Sequence, residues 1–152
     1  MKIATAHAIV NADKRKVFRY VDMLLSGKKK YEFDTHNGFT FTKGSLDKPG
    51  SLFYTVEKFI GVFMKFEFMV AEYRKNRVTF RLLRPFGIYN IFASFEAINS
   101  GKKTRISLRI STKTENMFSK IMMILFYPVY APLVMRQIKR EVWFIKREIN
   151  AI

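Results

Sequence analysis

Few side chains in this sequence could move a proton. There are two histidines, His7 and His36, and no cysteine. General acid–base work uses a histidine or carboxylate in a sheltered site with a shifted pKa. His7 lies inside KIATAHAIV, which reads as a strand near one edge of the fold, and His36 stands beside Asn37-Gly38, a turn dipeptide. Both read as structural or surface residues. Glu57, Glu67 and Glu96 fall on predicted strands. Glu67 and Glu96 are out of phase with the apolar residues around them and are expected to pair with Lys or Arg on a solvent face. No Ser/His/Asp spacing, HExxH motif or Gly-rich phosphate loop is present. The missing cysteines exclude disulfides, cysteine-ligated zinc, iron–sulfur clusters and cysteine nucleophiles. Two histidines exclude a histidine-rich metal site. The sequence therefore assigns no catalytic residue, no metal and no cofactor, and it leans away from an enzyme.

The chemistry it offers instead is apolar burial. Sixteen Phe and seven Tyr occur among 152 residues, and most fall at period two, the repeat of a strand with one covered face. Tyr54, Val56, Met64, Phe66, Phe68 and Phe80 share the apolar phase in the first strands of this set. Tyr89, Ile91, Phe95, Ile106, Leu108 and Ile110 share it in the last. Phe126 and Tyr130 would close such a face from a helix. Ligand pockets are mostly apolar with a few placed polar groups, and the hydroxyls of Tyr54, Tyr89 and Tyr130 suit that role because a buried Tyr finds a partner. Met64, Met122, Met123 and Met135 are adaptable fillers of a pocket or an irregular core. The same residues also suit an ordinary close-packed core, and one sequence leaves both readings open.

A third possibility is recognition of an anion. The formal net charge is +16, which attracts nucleic acid, acidic protein or an anionic membrane and also suits a plain solvated face. Lys65, Arg81, Arg105, Arg109 and Lys113 would form a stripe on the outer side of the sheet. Lys14, Arg15, Lys16 and the run 28–30 add charge near the first helix. Nucleic-acid binders join such patches to exposed aromatics, whereas the strand aromatics here share the buried phase. An anionic membrane surface is the better partner, with Phe63 or Phe86 dipping in.

The elements that would position these groups follow from periodicity and turns. Lys2 to Val10 is a strand. Asn11 is the expected N-cap of a helix that runs to about Leu25, with Val17, Val21 and Leu24 on its buried stripe. Ser26-Gly27 end it. Residues 28–50 are loop-rich, with short strands expected at Tyr31–Asp34 and Phe39–Thr42 and turns at Asn37-Gly38, Lys43-Gly44 and Pro49-Gly50. Strands follow from Ser51, separated by Ile60-Gly61, Lys75-Asn76, Pro85-Phe86-Gly87 and Ser100-Gly101. Short turns between strands make an antiparallel meander. After Glu115 the period becomes helical, with Val134, Ile138, Val142, Ile145 and Ile149 on one stripe.

Between Lys120 and Arg136 stand fifteen uncharged residues. A membrane span needs about twenty, and Pro128 and Pro132 interrupt the run. An antiparallel sheet with one apolar face needs a cover. The segment is expected to lie across the sheet rather than insert into a membrane surface or span one. The kink at the two prolines is the expected route for a ligand.

Short motifs fit this order. NADKRKVF, Asn11 to Phe18, resembles the first strand-to-helix junction of the START-like superfamily, the SRPBCC or polyketide cyclase/dehydrase and lipid transport group. PGSLFY, Pro49 to Tyr54, resembles the glycine that leads into its next strand. GKKTRISLRI, Gly101 to Ile110, resembles its last strand. Asp13 stands where the family often has Pro, and the only Trp is Trp143 in the last helix. The resemblance implies an α+β helix-grip fold: a curved antiparallel sheet of six to seven strands around a long kinked C-terminal helix, with a short helix after the first strand. It implies one domain over residues 1–152 and a cavity for a lipid, sterol, polyketide or quinone. Binding or transport of such a molecule is the expected function, and a polyketide cyclase or dehydratase, or a basic adaptor for membrane or RNA, is the alternative. The start, MKIATAHAIVNADK, has no continuous apolar stretch, so cytoplasm is the expected location, with a peripheral place at the membrane left open. Ligand identity and oligomeric state stay open.

Overall fold

The computed structural model describes residues 1–25, 32–33, 36–59 and 61–152, except the side chains of 25, 32–33, 36–38 and 59. The expected helix end at Ser26-Gly27, the lysine run 28–30 and Ile60 lie outside the described residues.

Among the described residues, eight strands form one antiparallel sheet: β1 (Lys2–Val10), β2 (Glu32–Phe33), β3 (His36–Lys43), β4 (Leu52–Phe59), β5 (Val62–Arg74), β6 (Arg77–Arg84), β7 (Ile91–Ser100) and β8 (Lys103–Thr112). The spatial order is β1-β8-β7-β6-β5-β4-β3-β2. The chain leaves β1, crosses to the far edge by way of α1 (Lys14–Leu25), and returns as a meander that ends beside β1. α2 (Met117–Ala151) follows. The count exceeds the expected six to seven because β2, only two residues long, pairs with β3. Asn37-Gly38, expected as a turn, lie within β3, where the ladder shifts register between His36 and Phe39. The β5–β6 ladder shifts between Glu67 and Phe68 and again between Val70 and Glu72. Extra residues of this kind bend a strand and increase its twist, which curves the sheet.

The cap of α1 is Asp13 rather than the expected Asn11. Its carboxylate accepts from the Lys16 amide at 2.8 Å. Asn11 instead donates its backbone amide to Asn150 Oδ1 at 2.9 Å and ties β1 to the end of α2. Removing a cap of this type costs about 1 kcal/mol. Asp13→Ala is expected to lower stability by about that amount in urea unfolding, and Asn11→Ala is expected to leave α1 itself capped.

The alanines of β1 have a packing reason. Ala4, Ala6 and Ala8 stand opposite Ile110, Leu108 and Ile106, and directly opposed residues of an antiparallel pair share a face. They point to the inner face, where the small side chains let α2 approach β1. Ile138, Val142, Ile145 and Ile149 of α2 are buried in the same core. The first half of α2 does not repeat this. Expected as a cover for the sheet, it leaves Phe118, Ile121, Ile124, Leu125, Val129 and Leu133 exposed. A run that is apolar on all sides can bury only the side turned to the core, here Ser119, Met123 and Ala131. The helix is continuous through Pro128 and Pro132.

Candidate functional site

The inner face of the sheet is the candidate site, and the ladder defines its members. Phe53 pairs with Phe68 and Thr55 with Phe66. Val70 pairs with Phe80, Phe80 with Ala93, and Phe95 with Leu108. Phe53 is central: its ring stacks on Phe68 at 5.2 Å and meets Phe80, Phe41 and Phe39 at 5.1, 5.4 and 6.0 Å.

Burial divides this face into two ends. Val10, Ala97 and Ile106 are fully buried at the end where β1 leads into α1, and Val70 and Val78 are fully buried on β5 and β6. Towards the start of α2, the inward apolar residues Met64, Phe68, Ile91, Leu108 and Ile110 are only half-buried. Tyr89, in the 3-10 turn Gly87–Tyr89, and Tyr130 of α2 are half-buried at the same end. The Tyr130 hydroxyl donates to the Met123 carbonyl at 2.8 Å. Burial, and then Tyr127 beside it, raises the Tyr130 pKa. The Thr112 hydroxyl donates to the Tyr89 carbonyl. Glu57 stands opposite Met64 and brings a half-buried carboxylate to this face. At the closed end, Thr104 Oγ1 donates to the Ala12 carbonyl at 2.7 Å. The buried hydroxyl of Tyr20 has its pKa pushed up by desolvation and then by Glu148.

Ten of the fourteen expected lining residues fall along this face: Met64, Phe66, Phe68, Phe80, Tyr89, Ile91, Phe95, Ile106, Leu108 and Ile110. Phe66, Phe80, Phe95 and Ile106 are buried among them. Tyr130 joins from α2. Three differ. Tyr54 and Val56 stand opposite Glu67 and Lys65, so they face outward, and the Tyr54 ring lies under Lys65 Nζ at 4.3 Å. Phe126 is 47% exposed rather than a closing group. Phe53, Thr55 and Glu57 take the inward positions on β4. The tight β4–β5 connection is the sequence signal for them: pairing Phe59 with Val62 fixes every later pair and therefore the phase.

Several residues of the expected basic stripe are engaged with partners. Arg105 and Arg109 are exposed on β8. Lys65 lies 3.7 Å from Glu67, and Arg84 lies 3.8 Å from the same carboxylate. Arg81 donates to Asn90 Oδ1 at 2.7 Å, and Lys113 sits over the Phe92 ring at 5.3 Å. An open cleft of about 730 Å³ lies elsewhere, between the start of α1 and the β5–β6 turn, walled by Asp13, Lys14, Arg15, Phe18, Tyr73, Lys75 and Asn99. It contains none of the expected lining residues. Among the described residues no cluster of His, Cys, Asp or Glu is placed to hold a metal.

No protein-family model and no curated protein matches the chain. Solved structures do. TTHA0849 from Thermus thermophilus is 14% identical with a TM-score of 0.70, covering 97% of each chain. Ginseng major latex-like protein 151 from Panax ginseng is 13% identical with a TM-score of 0.56, covering 82% of this chain and 90% of that one. The di-domain ARO/CYC BexL from the BE-7585A biosynthetic pathway is 10% identical with a TM-score of 0.64, covering 97% of this chain and 49% of BexL. At these identities the likeness concerns architecture, and on that ground the chain has the helix-grip fold.

Proposed function

We propose that the chain binds a hydrophobic small molecule on the inner face of the sheet, at the end where α2 begins. One observation carries this reading. Inward apolar side chains on a closed core would be fully buried, yet Met64, Phe68, Ile91, Leu108 and Ile110 keep solvent access. A lipid-like or polycyclic ligand would cover them, gaining roughly 25 cal/mol per Å² of apolar surface before the costs of association. BexL, a neighbour in fold, is an ARO/CYC protein of a biosynthetic pathway, which agrees with an apolar ligand. The hydroxyls of Tyr89 and Tyr130, both half-buried at this end, would orient it, with Tyr130 free to accept while it donates to Met123.

One observation favours the enzyme reading: Glu57, the carboxylate on this face. A proton-transfer role would need it beside the ligand.

The test is native mass spectrometry of the purified chain after incubation with a total lipid extract and removal of vesicles. A one-to-one adduct in the wild type that is lost in Leu108→Trp, which fills the open end, is the expected result. An unliganded wild type, or an adduct that Leu108→Trp retains, would overturn the reading.

A further inference from the structure

The outward face of α2 changes character along its length. At about 3.6 residues per turn, one outward line runs through Ile121, Leu125, Pro128 and Pro132 and continues through Lys139, Trp143 and Lys146. Its first half is apolar and solvent-facing: Ile124 is 67% exposed and Leu125 is 65% exposed. Its second half is basic around Trp143, which is 59% exposed with the Arg147 guanidinium 5.0 Å from its ring. Phe86 and Ile88, at the 3-10 turn that α2 touches, extend the apolar patch. Lys113 and Lys120 stand exposed near its edge.

We propose that this face of α2 docks on the surface of an anionic phospholipid bilayer, with the helix lying in the interface. An interfacial helix buries an apolar face about 5–10 Å deep while basic residues meet lipid phosphates. The apolar stretch from Ile121 to Leu133 is about 20 Å long, ample for such contact. Charge selects this occupant over a second copy of the chain. Each copy carries +16, and the patch continues directly into basic residues, so two copies repel where a bilayer attracts. By length and composition α2 could also cross a membrane. Its uncharged run has only fifteen residues, shorter than a span of about twenty, and its inner side holds Met123, Ala131 and Ile138 in the core. Withdrawing the helix into lipid would expose that core. This surface lies opposite to the outer strand stripe, where Glu67 and Glu72 neutralise part of the charge. The proposal holds whether or not the inner face binds a ligand, because it uses the other side of the helix. If both hold, the half-buried end of the inner face opens beside the lipid.

Flotation with phosphatidylcholine vesicles, with and without phosphatidylglycerol, tests it. The wild type is expected to float with the anionic vesicles only, and Trp143, the sole tryptophan, is expected to shift its emission to the blue. Ile124→Glu with Leu125→Glu replaces two exposed side chains and should preserve the fold, checked by an unchanged thermal midpoint. It should weaken partitioning by about tenfold or more. Lys139→Glu with Lys146→Glu should weaken it several-fold at low salt and little at high salt. A wild type that stays at the bottom of the gradient would overturn the proposal. So would equal flotation of the Ile124/Leu125 variant, or a wild-type dimer that this variant turns into a monomer with no flotation of either.

Discussion

Phe53→Ala is expected to cost about 3–5 kcal/mol, the range for a buried aromatic cut to alanine. Phe53 is 3% exposed and touches four other phenylalanine rings. The cavity it leaves is walled by Phe68 and Phe80 from two neighbouring strands, whose backbones are fixed by the ladder, so the site relaxes little. Tyr54→Ala, one residue along, is expected to cost less than about 1 kcal/mol, because its ring lies half-exposed against Lys65 and its contacts are those of a surface cation–π pair. Urea unfolding of the two variants reads the phase of β4 directly. The reverse order of effects would mean that Tyr54 faces the core.

Enlarging a β1 alanine is expected to have the next largest effect. Ala6 is buried opposite Leu108, on the face against which α2 rests. Ala6→Leu inserts three carbons between a strand and a helix held together by Val142, Ile145 and Ile149. Overpacking of this kind costs about 1–3 kcal/mol, as side chains leave their rotamers or the backbone shifts. The change should also loosen the end of α2, exposing the Asn11 amide that Asn150 holds to faster hydrogen exchange. The same substitution at exposed His7 is expected to change stability by no more than about 0.5 kcal/mol. Equal effects at positions 6 and 7 would contradict the inward placement of the alanines.

These two substitutions mark where sequence reasoning reaches and where it stops. Strands β5 to β8 were legible because polar and apolar residues alternate along them: Val78, Phe80 and Leu82 are buried and Arg81 points outward. β4 was not, because in LFYTVEKF both phases are apolar. Leu52, Tyr54 and Val56 compete with Phe53 and Thr55, and only the pairing forced by the connection to β5 decides between them. The cap of α1 fell to Asp13 rather than Asn11, since both are good caps and the choice depends on where the last residues of β1 finish their pairing with Thr104. α2 was legible as a helix, with its C-terminal stripe correctly placed. Its first half was not, because an all-apolar run reads as buried whether or not there is a surface to bury it against. The candidate site was therefore visible as a set of residues and only partly as a place. Composition identified the phenylalanines, while the open end depends on how far α2 covers a curved sheet.

Methyl NMR during a titration with laurate, below its micelle concentration, would test the central claim most directly. The account predicts saturable one-to-one shifts of the Met64, Ile91, Leu108 and Ile110 methyl groups, with Ile106 little changed at the closed end. Shifts confined to Ile121, Ile124 and Leu125 on the outward side of α2, with the inner-face methyl groups unmoved, would contradict it.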